Sequence, residues 1–156
     1  MPDENLDLID DIRAASRLMV RELGFMEATV AATDYPPSAV HTILEIGIRG
    51  PMTSGQIAAV LHLEKSSVSR LVRKLIESGE LREMADAVDA RIKPLALTAR
   101  GKRTLAALHE FGRRQVSGAL SRLSDRERNA VREGLMLYAR ALKIDRANAM
   151  SLKEAS

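Results

Sequence analysis

Ser66, Ser67, Ser69, Arg70, Arg73 and Lys74 fall on one face of an amphipathic stretch, Lys65–Ser78. Their chemistry is hydrogen bonding and charge, not bond breaking. Hydroxyls bond base edges or phosphates, and an Arg can hold guanine through two parallel bonds. The opposite face carries Val68, Leu71, Val72, Leu75 and Ile76 at i, i+3, i+4, i+7 and i+8, the buried stripe of a helix. Hydroxyls near the start, then cations, suit a helix lying in a DNA major groove. They also suit an ordinary solvated face, and this stretch alone does not separate the two readings.

The neighbouring segments position it. Upstream, Thr53 or Ser54 caps a short helix, Gly55–Leu61, in which Ala58 and Ala59 allow close approach. His62–Glu64 is the turn. Downstream, Leu81–Met84 and Ile92–Leu97 read as short strands around a polar tip, Ala85–Arg91. Ile92, Pro94 and Ala96 share one side of the second strand, and Leu95 and Leu97 the other. Pro94 has no N–H, which places that strand at a sheet edge. Arg91 and Lys93 are the cations this hairpin offers to a phosphate backbone or a minor groove. Helix, turn, helix, hairpin is the winged helix-turn-helix order.

Here the chain resembles the MarR (multiple antibiotic resistance regulator) family of bacterial transcription factors. The matching residues are Lys65-Ser-Ser-Val-Ser-Arg70-Leu-Val, Leu75 with Gly79, Asp89-x-Arg91, and Leu95-x-Leu97-Thr98-x-x-Gly101. The resemblance implies a mainly α fold: a winged helix-turn-helix core with a two-stranded β wing, flanked by long N- and C-terminal dimerisation helices. It also implies a homodimer on an inverted-repeat operator in double-stranded DNA, usually a repressor released by a small organic effector. Residues 1–156 then form one domain. Within it, 7–33 and 99–144 serve mainly dimerisation, 38–98 form the DNA-binding lobe, and 145–156 are a loose tail.

The remaining pattern fits that layout. Asp7 to about Thr33 reads as one long helix, with Ile9, Ile12, Met19, Leu23, Met26 and Val30 on its apolar side and Gly24 a weak spot. Pro36 and Pro37 break it and start Ser38–Arg49, which buries Val40, Ile43, Leu44 and Ile46. Thr98 caps a second long helix with Leu105, Leu108, Phe111, Val116, Leu120 and Leu123 inward. Arg100, Lys102 and Arg103 in its first turns oppose the helix dipole, so something else favours them. Ser124-Asp-Arg-Glu127 is a capping box for a last helix with Val131, Leu135, Tyr138 and Leu142 on one side.

The effector pocket implied by the resemblance lies where dimer helices meet the DNA-binding lobe. Met19, Leu23, Met26, Tyr35, His41 and Phe111 are its candidate lining, and ordinary core is the competing reading. Some relatives bind zinc through histidines on the equivalent helices. Here Arg113, one turn after His109, stands where those show a second histidine, so no metal and no cofactor are expected.

Composition narrows the classes further. The chain has 156 residues, no cysteine and a net charge of +3. Disulfides, thiolate catalysis and peroxide sensing through a thiol are excluded. Residues 1–61 carry 4 basic and 9 acidic groups, whereas residues 62–103 carry 10 and 6 and residues 104–156 again 10 and 6, so a basic middle follows an acidic start. No run reaches the ~20 apolar residues of a membrane helix, and the cytoplasm is the expected location. The sequence has no glycine-rich phosphate loop, H-E-x-x-H or G-x-S-x-G, and it is read as a non-enzyme. Two other readings stay open. The stretch Tyr35–His41 and the Lys65-Ser-Ser helix also look like MarR modules fused to GNAT-type acetyltransferases, so the chain could be a shortened relative or a regulatory half. A winged helix can also serve protein contacts alone.

Overall fold

The computed structural model describes residues 6–85 and 88–156. Asp86 and Ala87, part of the expected hairpin tip, lie outside the described residues. The chain divides into two compact units, Met1–Gly112 and Arg113–Ser156.

The first unit opens with α1 (Leu6–Glu22), none of whose residues is buried. The expected helix to Thr33 is corrected here. Gly24 adopts φ +84°, and Ala31 and Ala32 adopt φ +56° and +53°, so the backbone leaves the right-handed helical region. The carbonyls at the end of α1 are taken by the turn: Leu23 N–H bonds Met19 O at 2.8 Å and Gly24 N–H bonds Arg21 O at 3.0 Å. Val30, expected on the helical stripe, instead sits in a loop and is buried in the core.

Pro36 and Pro37 start α2 (Pro37–Arg49), whose Val40, Ile43 and Ile46 are buried while Leu44 is half-buried. Gly50 ends it at φ +83°, donating to Ile46 O. Thr53 caps α3 (Ser54–Leu61) through a full capping box with Gln56. His62 closes α3 in the left-handed conformation. The recognition-type helix α4 (Lys65–Glu77) buries Val68, Val72 and Leu75, with Leu71 and Ile76 half-buried. Burying such a side chain is worth about 1.5–3 kcal/mol, so this stripe orients the helix. At its end Gly79, φ +77°, donates to Ile76 O and Glu80 N–H to Leu75 O, both at 2.9 Å. That pair of bonds is a Schellman motif.

The wing pairs β1 (Leu81–Glu83) antiparallel with β2 (Leu95–Leu97), Leu81 opposite Leu97. Both strands are shorter than expected. Ile92, Lys93 and Pro94 stand outside the ladder, and Leu95 and Ala96 are both buried, so the expected alternation is lost. Met52 bridges Leu95 on the side away from β1. Thr98 then caps α5 (Ala99–Leu120), its hydroxyl oxygen accepting Gly101 N–H at 3.0 Å. α2 packs against α3, α4 and β2, and α4 against α3 and β1. The core between them holds Ile43, Ile57, Val68, Leu75, Leu81 and Leu95.

The second unit is dominated by α6 (Asp125–Glu154). Ser124 and Glu127 form the expected capping box. Arg128 Nε donates to Leu120 O at 2.9 Å and fixes the turn before it. The expected loose tail after Ile144 is corrected: Asp145, Arg146, Ala147, Asn148, Ala149 and Met150 lack Gly and Pro, and the helix runs on to Glu154. No α6 residue is buried; Val131, Leu135, Tyr138 and Leu142 all lie exposed.

Candidate nucleic-acid interface

The buried stripe of α4 turns Ser66, Ser69, Arg70, Arg73 and Lys74 outward, and all five are exposed; Ser67 is half-buried. Ser69 Oγ donates to Lys65 O at 3.0 Å, one turn back. Its proton is therefore used inside the helix and its oxygen is left to accept. Among the described residues, no carboxylate forms an ion pair with Arg70, Arg73 or Lys74. Three cations on one helix face are thus held without internal neutralisation.

The wing is ordered differently. Asp89 Oδ1 accepts from Arg91 N at 2.9 Å and from its Nε at 3.2 Å, and Oδ2 accepts from Nη2 at 3.4 Å. The backbone N–H of Arg91, and then its side chain, hold the Asp89 carboxyl below its ordinary value of 3.8. Arg91 remains exposed at the end of this brace. Two of the five guanidinium donors are engaged in these bonds, which leaves the rest to bind outward. This gives the D-x-R spacing a physical cause: the Asp fixes the stem that carries the Arg. Lys93 Nζ lies 3.7 Å from Glu83 Oε2, both side chains being exposed. Such a pair contributes about 0–1 kcal/mol and does little to hold the lysine.

Arg91 and Lys93 face a shared trough of 590 Å³ with Thr53, Ser54 and Gly55 at the start of α3. Those three residues were legible only as a cap. Beyond the N–H that Thr53 caps, the start of α3 offers backbone donors to this trough, which Glu83 lines beside the two cations. The sequence signal for it was the small-residue run Thr53-Ser-Gly55, which lets a partner approach the backbone.

The six candidate effector residues are dispersed in their roles. Tyr35 Oη donates to Glu80 Oε1 at 2.9 Å. His41 stacks on Phe25, a residue outside the expected set, with ring centroids 5.8 Å apart. Met26 lines an apolar recess of 380 Å³ on α1 with Ser16, Arg17, Val20 and Arg21. Met19 and Leu23 are exposed, and Phe111 is half-buried. Among the described residues, no three His, Asp or Glu side chains gather in a geometry that could hold a metal ion. None of the described helices is long and apolar enough to cross a membrane.

A helix-turn-helix whose second helix presents hydroxyls and bare cations, followed by a braced Arg on a β wing, defines a winged helix-turn-helix protein. A sequence model of the MarR family matches residues 33–92. The uncharacterized HTH-type transcriptional regulator YfiV of Bacillus subtilis is 30% identical over 104 residues, covering 67% of this chain; the chain spans 65% of that protein's length. Two solved structures share the fold. A MarR family protein from Bacillus stearothermophilus is 19% identical with a TM-score of 0.78, over 90% of this chain and 99% of that one. Streptococcus pneumoniae FabT, solved in complex with DNA, is 20% identical with a TM-score of 0.74, over 89% and 98%. The chain belongs to the MarR family.

Proposed function

We propose that this chain is a sequence-specific, DNA-binding transcriptional regulator that acts as a homodimer on an inverted repeat. The observation that carries the reading is the sorting of α4: a fully apolar inner stripe and an outer face of Ser66, Ser67, Ser69, Arg70, Arg73 and Lys74 with no acidic partner among the described residues. A helix so divided is oriented by the core and presents hydroxyls and three cations outward, with Glu77 at its far end. Arg70 and Arg73 are the base-reading candidates, and the hydroxyls and Lys74 contact phosphate or base edges. Arg91 and Lys93 add wing contacts. FabT, a structural neighbour, was solved in complex with DNA, which supports the same use of the fold here.

Dimerisation is supported by what a single chain leaves exposed. Ile9, Ile12 and Met19 on α1, Leu23 in the turn after it, and Val131, Leu135, Tyr138 and Leu142 on α6, are all unburied. Apolar stripes of this length mark association surfaces. A two-fold dimer presents two α4 helices and selects half-sites about 34 Å apart, one turn of DNA. Release by a small organic effector completes the reading: a ligand that binds better to a dimer with the wrong α4 spacing weakens operator binding by that difference in affinity.

Selection of bound sites from a random duplex pool, followed by fluorescence anisotropy at several salt concentrations, tests the proposal. The expected result is an inverted repeat bound more tightly than unrelated duplex, with affinity falling steeply as salt rises. Binding that ignores sequence, or no binding at all, overturns it and favours a winged helix used for protein contacts. Sedimentation equilibrium showing a monomer at working concentration would do the same.

A further inference from the structure

Glu80 is a carboxylate with 2% of its surface exposed. Its Oε1 accepts from Tyr35 Oη at 2.9 Å and from Arg100 Nε at 3.2 Å. Its Oε2 is buried with no hydrogen-bond partner. An apolar side chain of that size would fill the site without the desolvation cost of a carboxylate, so core packing alone does not account for the residue.

The backbone of Glu80 is pinned on three sides. Its N–H closes the last turn of α4 on Leu75 O at 2.9 Å. Its carbonyl accepts from Thr98 N at 3.1 Å and from Thr98 Oγ1 at 3.3 Å. Gly101 in the first turn of α5 leaves no room for a β-carbon against that carbonyl. Glu80 therefore cannot shift unless the end of α4, the start of β1 or the start of α5 shifts with it.

The residue at the other end of the hydrogen bond sits in a constrained loop. Ala31 and Ala32 are consecutive left-handed residues without glycine's freedom. The loop is closed by Val30 N–H to Tyr35 O at 3.0 Å and by Thr33 Oγ1, which takes Tyr35 N–H at 3.1 Å and donates to Val30 O at 2.7 Å. Such backbone persists only where surrounding contacts hold it. Tyr35 Oη ties this loop to the end of α4.

We infer that Tyr35, Glu80 and Arg100 form a positioning latch through which the loop between α1 and α2 sets the angle of α4, and with it operator selectivity. The latch rests on the proposed DNA reading for its functional half only. Glu80 and Tyr35 touch no DNA in this scheme; they are positioning residues acting through α4. The loop carries no base-reading group, yet its position biases the one helix that does.

Tyr35→Phe keeps the ring and removes only the hydroxyl; Glu80→Leu, which removes the acceptor, and the double variant complete a cycle. The readout is the ratio of affinities for the selected operator and for an unrelated duplex at one salt concentration. Tyr35→Phe is expected to lower operator affinity about fivefold or more, the low end of coupling between sites, while unrelated duplex changes by less than about twofold. In the Glu80→Leu background the same change should cost less than about twofold, because the acceptor of the bond it removes is already gone. Loss on operator and unrelated duplex alike assigns a merely structural role and overturns the latch. So does an unchanged operator affinity. Hydrogen exchange on the free protein supplies an arm that needs no DNA. Tyr35→Phe should speed exchange at Val30–Tyr35 and at Ser78–Glu80 together. Acceleration confined to the loop overturns the latch whether or not the DNA reading stands, and wild-type indifference to every duplex fails the DNA reading alone.

Discussion

Gly101 stands so close to Glu80 that a β-carbon on it would lie 2.2 Å from the Glu80 carbonyl oxygen. The contact explains the L-T-x-x-G portion of the family motif. Thr98 takes the N–H of Gly101 and bonds the carbonyls of Gly79 and Glu80, while Gly101 lets α5 come within reach. The two residues staple the end of α4 to the start of α5.

Gly101→Ala must push backbone against backbone, which no rotamer change relieves. It should destabilise the protein by about 1–3 kcal/mol, read as a lowered denaturant midpoint. Gly118→Ala, also in α5 but with open space around it, should instead stabilise by about 0.5–1 kcal/mol. Equal effects from the two would contradict the steric account.

Thr98→Val keeps the shape and removes the hydroxyl that serves Gly79, Glu80 and Gly101. The expected loss is about 1–2 kcal/mol in a urea titration. A wild-type midpoint would show that water replaces the hydroxyl at no cost.

Arg70→Ala and Arg73→Ala should each cost about 1–3 kcal/mol in operator affinity and relax the preference at one base pair, if the side chain reads that base. Arg91→Ala should weaken all duplexes alike and reduce the slope of affinity against salt by about 1. Asp89→Ala leaves Arg91 in place but removes its brace, and should weaken binding in the same uniform way. Anisotropy titrations on operator and scrambled duplex separate these patterns.

Stability should decline at both pH extremes for identifiable reasons. Glu127 is held below its ordinary 4.5 by the Ser124 backbone N–H and then by the Ser124 side chain, and Asp89 is lowered by Arg91. A depressed carboxyl stabilises the fold above its unfolded value, and that contribution is lost as pH falls through the folded one. Burial, then the bond to Glu80, raise Tyr35 above 10.0. A raised phenol stabilises below its unfolded value, and that contribution is lost as pH climbs through the folded one. Phenolate absorbance should therefore show one of the two tyrosines titrating late, and Tyr35→Phe should remove that late component.

His62 closes α3 at φ +55°, a conformation that favours glycine. It is exposed, so its ring has little packing to lose. His62→Gly should raise stability by about 0.5–1 kcal/mol in thermal unfolding. A lowered melting temperature would show that the imidazole contributes more than its backbone strain costs.

What could be read from residue order was whatever is decided within a few residues. The α4 stripe, the Thr53 and Ser124 caps, the Pro36–Pro37 start and the Thr98 cap depend on local spacing, and the structure shows each of them. The end of α1 was not legible in this way. Met26 and Val30 continue the helical spacing, and only the left-handed turn at Gly24 and the closed loop up to Tyr35 show why the helix stops. Glu80 was invisible for a related reason. A glutamate reads as surface, and nothing nearby in sequence announces that Tyr35 and Arg100 converge on it. The site divided similarly: the cations of α4 follow from periodicity, whereas the trough shared by Arg91, Lys93 and Thr53–Gly55 exists only after folding.

Both flanks of β2 are occupied, β1 on one and Met52 on the other, with Leu95 exchanging bonds with Met52 at 2.7 and 3.1 Å. Pro94 has no amide hydrogen to offer immediately before it. A stray extended peptide therefore finds Leu95 already paired on that strand, and β1 presents only the brief, charged Arg82–Glu83 rim. These two strands are thereby kept from becoming a seed for intermolecular sheet growth, even when molecules are crowded side by side.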